Sequence, residues 1–392
     1  MGDNVIVSAA RTPVGSFLGT LAPLTAPQLG AVAIRAALVR AGLKPEQVDE
    51  VIMGCVLSGG VGQAPARQAM VLAGLPWKVN ALTINKVCGS GLKSVMLADA
   101  MIANKDADII VAGGMESMSS APYFLPGARQ GYRMGDQKVV DLMIHDGLWD
   151  VYQGCHMGAC ADMLGKEWKI SREDQDAFAI RSYKRALKAM AEGKFKNEIV
   201  PVEIPQKKGA PMVVSEDEEP KKFKEDKIPE LRPAFTKEGS VTAANASSLN
   251  DGAAAVVVMS AGKAKELGLK PLVRIVGHCS AARESEWFTI APIDAVKNLL
   301  KKTGYTLDKI DLLELNEAFS AQVIAAEREF KLDMEKVNVN GGAVAIGHPI
   351  GASGARILTT LIYAMKDRKA KTGLATLCIG GGEAAAMIVE RV

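Results

Sequence analysis

The chain has little of what marks a binder of charged polymers or membranes. Its 47 basic and 44 acidic residues leave a net charge of only +3, which argues against a nucleic-acid or membrane-surface partner. No apolar run approaches the length of a membrane span. The start, Met1-Gly2-Asp3-Asn4-Val5-Ile6, runs into a strand without a basic region and apolar stretch, so no signal peptide is expected. The six cysteines (55, 88, 155, 160, 279 and 378) follow no disulfide spacing, and a reducing cytoplasm is the simpler setting. None forms a CxxC pair, and Cys155, His156 and Cys160 lack a fourth nearby ligand, so no metal site is expected. Aromatics make up only 5% of the chain, whereas glycines number 38 and hydrophobic residues reach 48%. That balance predicts an α/β enzyme with many tight strand–helix turns.

At 392 residues the chain is long enough for two lobes, and it contains an internal repeat. Ala33 to Gly54 matches Ala295 to Asn316: an amphipathic helix ended by Gly42 or Gly304, then an apolar strand. Gly89-Ser90-Gly91 matches Ala352-Ser353-Gly354, and the run from Ile109 to Gly114 parallels that from Thr376 to Gly381. Offsets of 262 (42 to 304), 263 (91 to 354) and 267 (113 to 380) predict a duplicated α/β unit, each copy with a mixed sheet. Between the copies, residues 119–248 have another character. Ser171 and Asp174 open a helix there in an acidic capping pattern. The stretch 206–230 mixes six lysines with seven acidic residues, as a solvated arm or as a contact for a phosphorylated ligand.

Four residues stand where chemistry is done. Cys88, in Asn85-Lys86-Val87-Cys88-Gly89-Ser90-Gly91, lies between a strand and a helix whose first N–H groups would lower a thiol's pKa. A buried inert cysteine is the plain alternative. His348 is held between Gly347 and Pro349 in a glycine-rich segment, as a positioned base or a structural histidine. Cys378 ends an apolar strand before Gly380, Gly381 and Gly382, as a buried core cysteine or a thiol whose following N–H groups face a ligand. Asn316 ends the strand Leu312 to Leu315, able to bind a water or to cap a helix. By the repeat, all four gather around one crevice where the lobes meet. One thiol with one imidazole makes an activated nucleophile, and a second thiol adds a separate acid/base.

With these motifs in place, the chain closely resembles the thiolase family over its whole length, in particular the acetyl-CoA acetyltransferases. The resemblance rests on Val5 to Gly15, Asn85 to Gly91, Gly113 to Ser117, Asn245 to Gly252, Asn316 to Phe319, Asn338 to Gly354 and Cys378 to Gly382. It implies an α/β fold of two duplicated βαβαβαββ lobes in five layers, αβαβα. The first lobe would span residues 1–118, completed by 249–268. A loop domain for CoA binding and tetramerisation would occupy 119–248, and the second lobe 269–392. The implied reaction is reversible Claisen condensation of two acetyl-CoA to acetoacetyl-CoA and CoA, in fatty acid metabolism. Cys88 is then the acylated nucleophile, His348 its base and part of an oxyanion hole, and Cys378 the proton carrier. Asn316 would hold an oxyanion-hole water, and the N–H of Gly380 would complete a second hole.

For CoA the resemblance marks Leu148, His156, Met157, Ala243, Ser247, Ala318 and Phe319. It implies no cofactor, since CoA is substrate and product, and a homotetramer built as a dimer of dimers. Three positions depart from the family pattern. Pro220, followed by Lys221 and Lys222, stands where many relatives have an arginine near the adenine. Phe288 replaces a smaller residue near the acyl pocket, and Glu383 follows the third glycine. A degradative 3-ketoacyl-CoA thiolase is the nearest rival reading. A non-catalytic thiolase-like acyl-CoA-binding protein is the rival from another class.

Overall fold

The computed structural model describes residues 4–392; Met1, Gly2 and Asp3, the start of the segment read for a leader, lie outside the described residues. The main strands are β1 (Asn4–Arg11), β2 (Glu50–Gly54), β3 (Asn80–Ile84), β4 (Ile109–Ser117), β5 (Asn250–Ser260), β6 (Val273–Ala282), β7 (Leu312–Leu315), β8 (Thr372–Ile379) and β9 (Glu383–Arg391). They hydrogen-bond in the order β7-β8-β9-β6-β1-β5-β4-β2-β3, and the short strand Gly15–Ser16 joins β5. β2 runs parallel to β3 and β4, and β5 lies antiparallel between β4 and β1. The other half repeats this: β7 is parallel to β8, and β9 lies antiparallel between β8 and β6. Each half is a mixed sheet, as the repeat requires. Among the described residues, the two half-sheets pair with one another where Val5 and Ile6 meet Arg274 and Val273.

Helices α1 (Ala26–Ala41) and α2 (Pro65–Leu72) cover the outer face of the first half, and α3 (Ser90–Ala103) covers its inner face. The connection from β4 to β5 contributes α4 (Met157–Glu167) and α5 (Arg172–Ala191). Helices α6 (Ala291–Thr303) and α7 (Ser320–Phe330) cover the outer face of the second half, and α8 (Ser353–Asp367) its inner face. Because α3 and α8 lie together and each touches strands of both halves, five layers result. Period-two alternation assigns each strand residue to a layer. Ala253, Ala255, Val257 and Met259 of β5 pack under α1, while Val256 and Val258 face inward. On β9, Ala384, Ala386 and Ile388 face α6, while Ala385, Met387 and Val389 face inward. A one-residue slip would exchange the two sets, at roughly 1.5–3 kcal/mol per large side chain left unburied.

The glycine ends read from the repeat are present: α1 stops at Gly42 and α6 at Gly304, both in the left-handed region. The inner helices begin at Ser90 and Ser353, the same 263-residue offset (353 − 90). Gly91 abuts the backbone of Ala352 and Ala355, and Gly354 abuts that of Leu92. A side chain at either glycine would push the two helix starts apart. Their absence lets the turn before each helix share one site.

The chain between β4 and β5 leaves and returns at one place, since Ser117 pairs opposite Asp251. It is pinned to the first lobe by Arg11, whose guanidinium donates to both carboxylate oxygens of Asp217 at 2.7 and 2.9 Å. Its Nε donates to Glu198 at 2.6 Å. Helix α5 starts with the expected reciprocal cap of Ser171 and Asp174. In the mixed-charge stretch, Lys221 pairs with Glu216, Lys222 with Glu219 and Lys227 with Glu230. These lysines are spent on neighbouring carboxylates, which favours the solvated-arm reading.

Candidate active site

The Cys88 turn, Asn316 and Cys378 each sit at the carboxyl end of a strand with a parallel neighbour, where open α/β sheets collect ligands. Strand β3 leads into Asn85 to Gly89, and the turn is tight enough that Val87, a β-branched residue, takes φ 44°. Such a conformation costs about 1–3 kcal/mol and persists only where its surroundings hold it. Asn85 Oδ1 accepts the N–H of Val87 at 2.9 Å. Ser90 Oγ accepts the N–H of Lys86 at 2.8 Å and donates to the carbonyl of Val87 at 2.7 Å.

The helix start does not serve the sulfur as the sequence led us to expect. The N–H groups of Gly89 and Ser90 are taken by the carbonyls of Lys86 and Val87. The sulfur of Cys88 instead meets the N–H of Gly380, across the lobes, and its own N–H. Burial outweighs these donors, and the neighbouring Glu116 carboxylate opposes them, so the thiol is pushed up to about 11 rather than lowered. A group so raised stands as a thiol near neutral pH.

His348 supplies a base-like nitrogen. The loop that carries it is tied to the first lobe by two buried side chains. Asn250 Oδ1 accepts the N–H of His348 at 2.8 Å. Glu116 accepts the N–H groups of Gly351, Val56 and Leu57 at 2.9, 3.0 and 3.1 Å, and burial raises its pKa to about 7. Burial holds the imidazole itself down at about 3, with the Arg356 charge adding to the effect, so it stays neutral. Its Nε2 is buried without a protein partner, and Ser353 Oγ lies 2.6 Å from Nδ1.

Cys378, at the end of β8, is fully buried, and its thiol donates to Gln322 Oε1 at 3.1 Å. Burial first, and the nearby Cys88 second, raise its pKa well above the ordinary thiol value. Gln322 also donates to the carbonyl of Asn316 at 3.1 Å. The amide nitrogen of Asn316 stands 3.5 Å from His348 Nδ1, and its Oδ1 is buried and unpaired.

These groups surround a cavity of about 360 Å³. Cys88, His348, Cys378 and Gly380 line it; Asn316 stands just behind His348. All seven residues marked for CoA line the same cavity: Leu148, His156, Met157, Ala243, Ser247, Ala318 and Phe319. His156 caps α4, its Nδ1 accepting the N–H of Gly158 at 3.0 Å, so its proton is on Nε2. Its ring stacks on Phe235 at 4.5 Å, and burial lowers its pKa. Phe288 is buried edge-on to Phe319 at 6.3 Å, in the same apolar cluster as Met157 and Cys378.

Two of the departures resolve differently from the third. Pro220 lies outside the cavity lining, in a turn that braces the first lobe, where Lys222 donates to Ser16 and Glu219. Glu383 pairs with Lys86 at 2.7 Å, joining the turn after Cys378 to the turn of Cys88. Phe288 does line the cavity. The sequence reading overlooked Glu116, Asn250, Gln322, Phe235 and the hydroxyl of Ser353 as site residues. The repeat held a signal for Ser353 alone, because Ser90 is its counterpart.

Comparison with known proteins agrees with this geometry. The family model described as "Thiolase, N-terminal domain" matches residues 4–262, and "Thiolase, C-terminal domain" matches 269–391. A Cupriavidus necator protein named acetyl-CoA acetyltransferase is 59% identical over 392 residues, covering all of both chains. Proteins of the same name from Pseudomonas aeruginosa and Schizosaccharomyces pombe are 54% and 51% identical, over 100% and 99% of this chain and 100% and 98% of theirs. The crystal structure of the Bacillus anthracis acetyl-CoA acetyltransferase superposes with a TM-score of 0.97 at 42% identity, covering 100% of this chain and 99% of that one. This chain belongs to the thiolase family.

Proposed function

We propose that this protein is an acetyl-CoA acetyltransferase, an acyltransferase that condenses two acetyl-CoA molecules reversibly to acetoacetyl-CoA and CoA. The observation that carries the reading is the convergence of two thiols and one neutral imidazole on a single cavity. Cys88 gives its proton to His348 Nε2 as its sulfur attacks the thioester carbon. The carbon–sulfur bond to CoA breaks, and Cys378 gives its proton to the departing CoA sulfur. The imidazolium formed at His348 supplies the opposite charge that makes this loss favourable. A second acetyl-CoA then loses a methyl proton to the Cys378 thiolate. Its carbanion attacks the acetyl carbon on Cys88, and the released Cys88 sulfur recovers the proton from His348. Both thiols end protonated and the imidazole neutral, and the net proton movement is from the methyl carbon of the second acetyl-CoA to the sulfur of the released CoA.

The N–H groups of Gly380 and Cys88 hold the tetrahedral oxyanion. His348 and a water on Asn316 hold the enolate. Such donors contribute on the order of 3–4 kcal/mol each in a water-excluded site. The thioesters carry their own activation, so the reaction as written calls on no metal or organic cofactor. CoA lies along Leu148, His156, Met157, Ala243, Ser247, Ala318 and Phe319. Phe288 and Met157 fill the space beside Cys378, which supports a short acyl group over the long chains of a degradative thiolase.

The same reading includes a homotetramer in a reducing cytoplasm. Its support is the edge position of β3, which leads directly to the Cys88 turn, and the exposed Tyr123, Met134 and Tyr152 in the connection. The cysteines are unbridged, and among the described residues no helix is long and apolar enough to cross a membrane. Intact-mass measurement after mixing with acetyl-CoA should show one acetyl adduct. Its absence under conditions where CoA binds would count against catalysis. A strong preference for 3-ketohexadecanoyl-CoA over acetoacetyl-CoA in thiolysis would overturn the short-chain assignment.

A further inference from the structure

We propose that Ser353 is a positioning residue that fixes the tautomer of His348, accepting the Nδ1–H bond so that Nε2 is the free basic nitrogen. The argument starts from one hydroxyl proton. Ser353 Oγ lies 2.9 Å from the carbonyl of Pro349 and 2.6 Å from His348 Nδ1. The carbonyl can only accept, so the hydroxyl proton belongs to that bond. The oxygen therefore meets Nδ1 with a lone pair, and Nδ1 carries the ring proton. Nε2 is left as the acceptor, buried and without a protein partner, on a residue that lines the cavity with Cys88. Asn316 cannot take over this task through the atom it presents, because its Nδ2, 3.5 Å from Nδ1, is a donor.

The internal repeat shows the same hydroxyl in two uses. Ser90, the counterpart of Ser353 at the 263-residue offset, also opens an inner helix and also donates to a carbonyl of the preceding turn. Its lone pair accepts a backbone N–H, that of Lys86 at 2.8 Å. In the second lobe the same lone pair is given to a ring instead. Both serines are fully buried. One duplicated hydroxyl thus steadies the turn of the nucleophile in the first lobe and orients the base in the second.

The proposal rests on reading His348 as the base for Cys88, and the two can fail separately. The measurement is the ¹⁵N spectrum of the histidine-labelled full-length protein, with the His348 signals identified by their loss in His348→Asn. The chain has only four histidines. The wild type should show the Nδ1–H tautomer, and Ser353→Ala a mixture with Nε2–H. In the same variant, acetyl transfer to Cys88, followed by intact mass in a rapid quench, should slow by about 10–100-fold, the usual loss when an imidazole's orienting partner is removed. KM for acetyl-CoA should stay unchanged, since Ser353 does not line the cavity. Ser353→Thr, which keeps the hydroxyl, should restore the tautomer. A wild-type Nε2–H tautomer overturns the proposal without any variant, even where Ser353→Ala fails to fold. Slower transfer with an unchanged tautomer also overturns it, assigning Ser353 to helix packing. Wild-type acylation in His348→Asn sinks the base reading instead and leaves the tautomer result standing.

Discussion

The two lobes share strands, helices and even helix-capping serines, yet they differ in what they leave unpaired. In the first lobe the large buried polar side chains are satisfied. Arg11 is bonded by Asp217 and Glu198, and Glu116 by three backbone N–H groups. Among the described residues, most buried side-chain atoms without a partner fall in the second lobe. They include His348 Nε2, Asn316 Oδ1, both oxygens of Glu314 and all three nitrogens of Arg356. Arg356 has only Glu314, at 3.9 Å, where Arg11 has a bidentate carboxylate. Buried polar groups are ordinarily paired, so orphans gathered in one lobe set that lobe apart from its copy. In the proposed reaction the first lobe presents and braces the nucleophile, while the second holds the groups that move protons.

Position 54 and its counterpart at 316 show the same divergence. Gly54 lies against the side chain of Ser90 and the carbonyl of Gly351, so a side chain there would part the lobes. The second copy has room at that strand end for the amide of Asn316.

The comparison breaks most sharply at the two thiols. Cys88→Ser should reduce turnover to background, with no acetyl adduct by intact mass, because an alcohol does not readily form the attacking anion. Cys378→Ser should still acquire the adduct, because a CoA thiolate can leave without an acid, and then fail at condensation, read as free CoA released without acetoacetyl-CoA. Equal loss of the adduct in both variants would erase the division of labour between lobes.

The next largest effect concerns stability. Asp217→Ala strips Arg11 of its bidentate partner in a fully buried site and should cost about 3–5 kcal/mol in urea denaturation. Arg356→Met, which replaces a charge held only by Glu314 at 3.9 Å with an apolar side chain of similar volume, should cost clearly less. Equal losses would show that the second lobe's arginine is as well compensated as the first's.

A third test concerns resting charge. With Cys88 pushed up to about 11, its alkylation by iodoacetamide in the absence of substrate should keep accelerating from pH 7 towards pH 11. Peptide mapping separates it from the other cysteines. A plateau near neutrality would mean a resting thiolate–imidazolium pair, contrary to a His348 held neutral down to about 3.

The smallest effect is expected where the lobes are joined at the surface. Lys86 and Glu383 are partly exposed, and such pairs contribute about 0–1 kcal/mol. Glu383→Gln should lower the melting temperature slightly and change kcat little. A large kcat loss would make this pair the clamp that keeps the strained Val87 turn aligned with Gly380.

Much of this was legible in the residue order, for identifiable reasons. The repeat survives in sequence because glycines such as Gly42, Gly304, Gly91 and Gly354 sit where a side chain is excluded by backbone conformation or close approach. Cys88, His348 and Cys378 stood out because reactive residue types among glycines at strand ends are unusual. Gln322 and Asn250 did not stand out. Each is a common polar residue whose partner, the Cys378 thiol or the His348 N–H, lies 56 or 98 residues away. The electrostatic reading of the Cys88 helix failed for a similar reason. Local order shows a helix end, but it does not show that turn carbonyls consume its N–H groups.

The sequence by itself determined the duplicated α/β architecture, the inserted connection and which thiols and imidazole would share one cavity, since these follow from periodicity, glycine placement and residue chemistry. Only the tertiary structure decided their protonation, their pairing and the face each presents. Those depend on burial and on donors brought from the other lobe. A thiol that looked activated by its own helix is instead pushed up by burial and meets the N–H of Gly380 from the other lobe.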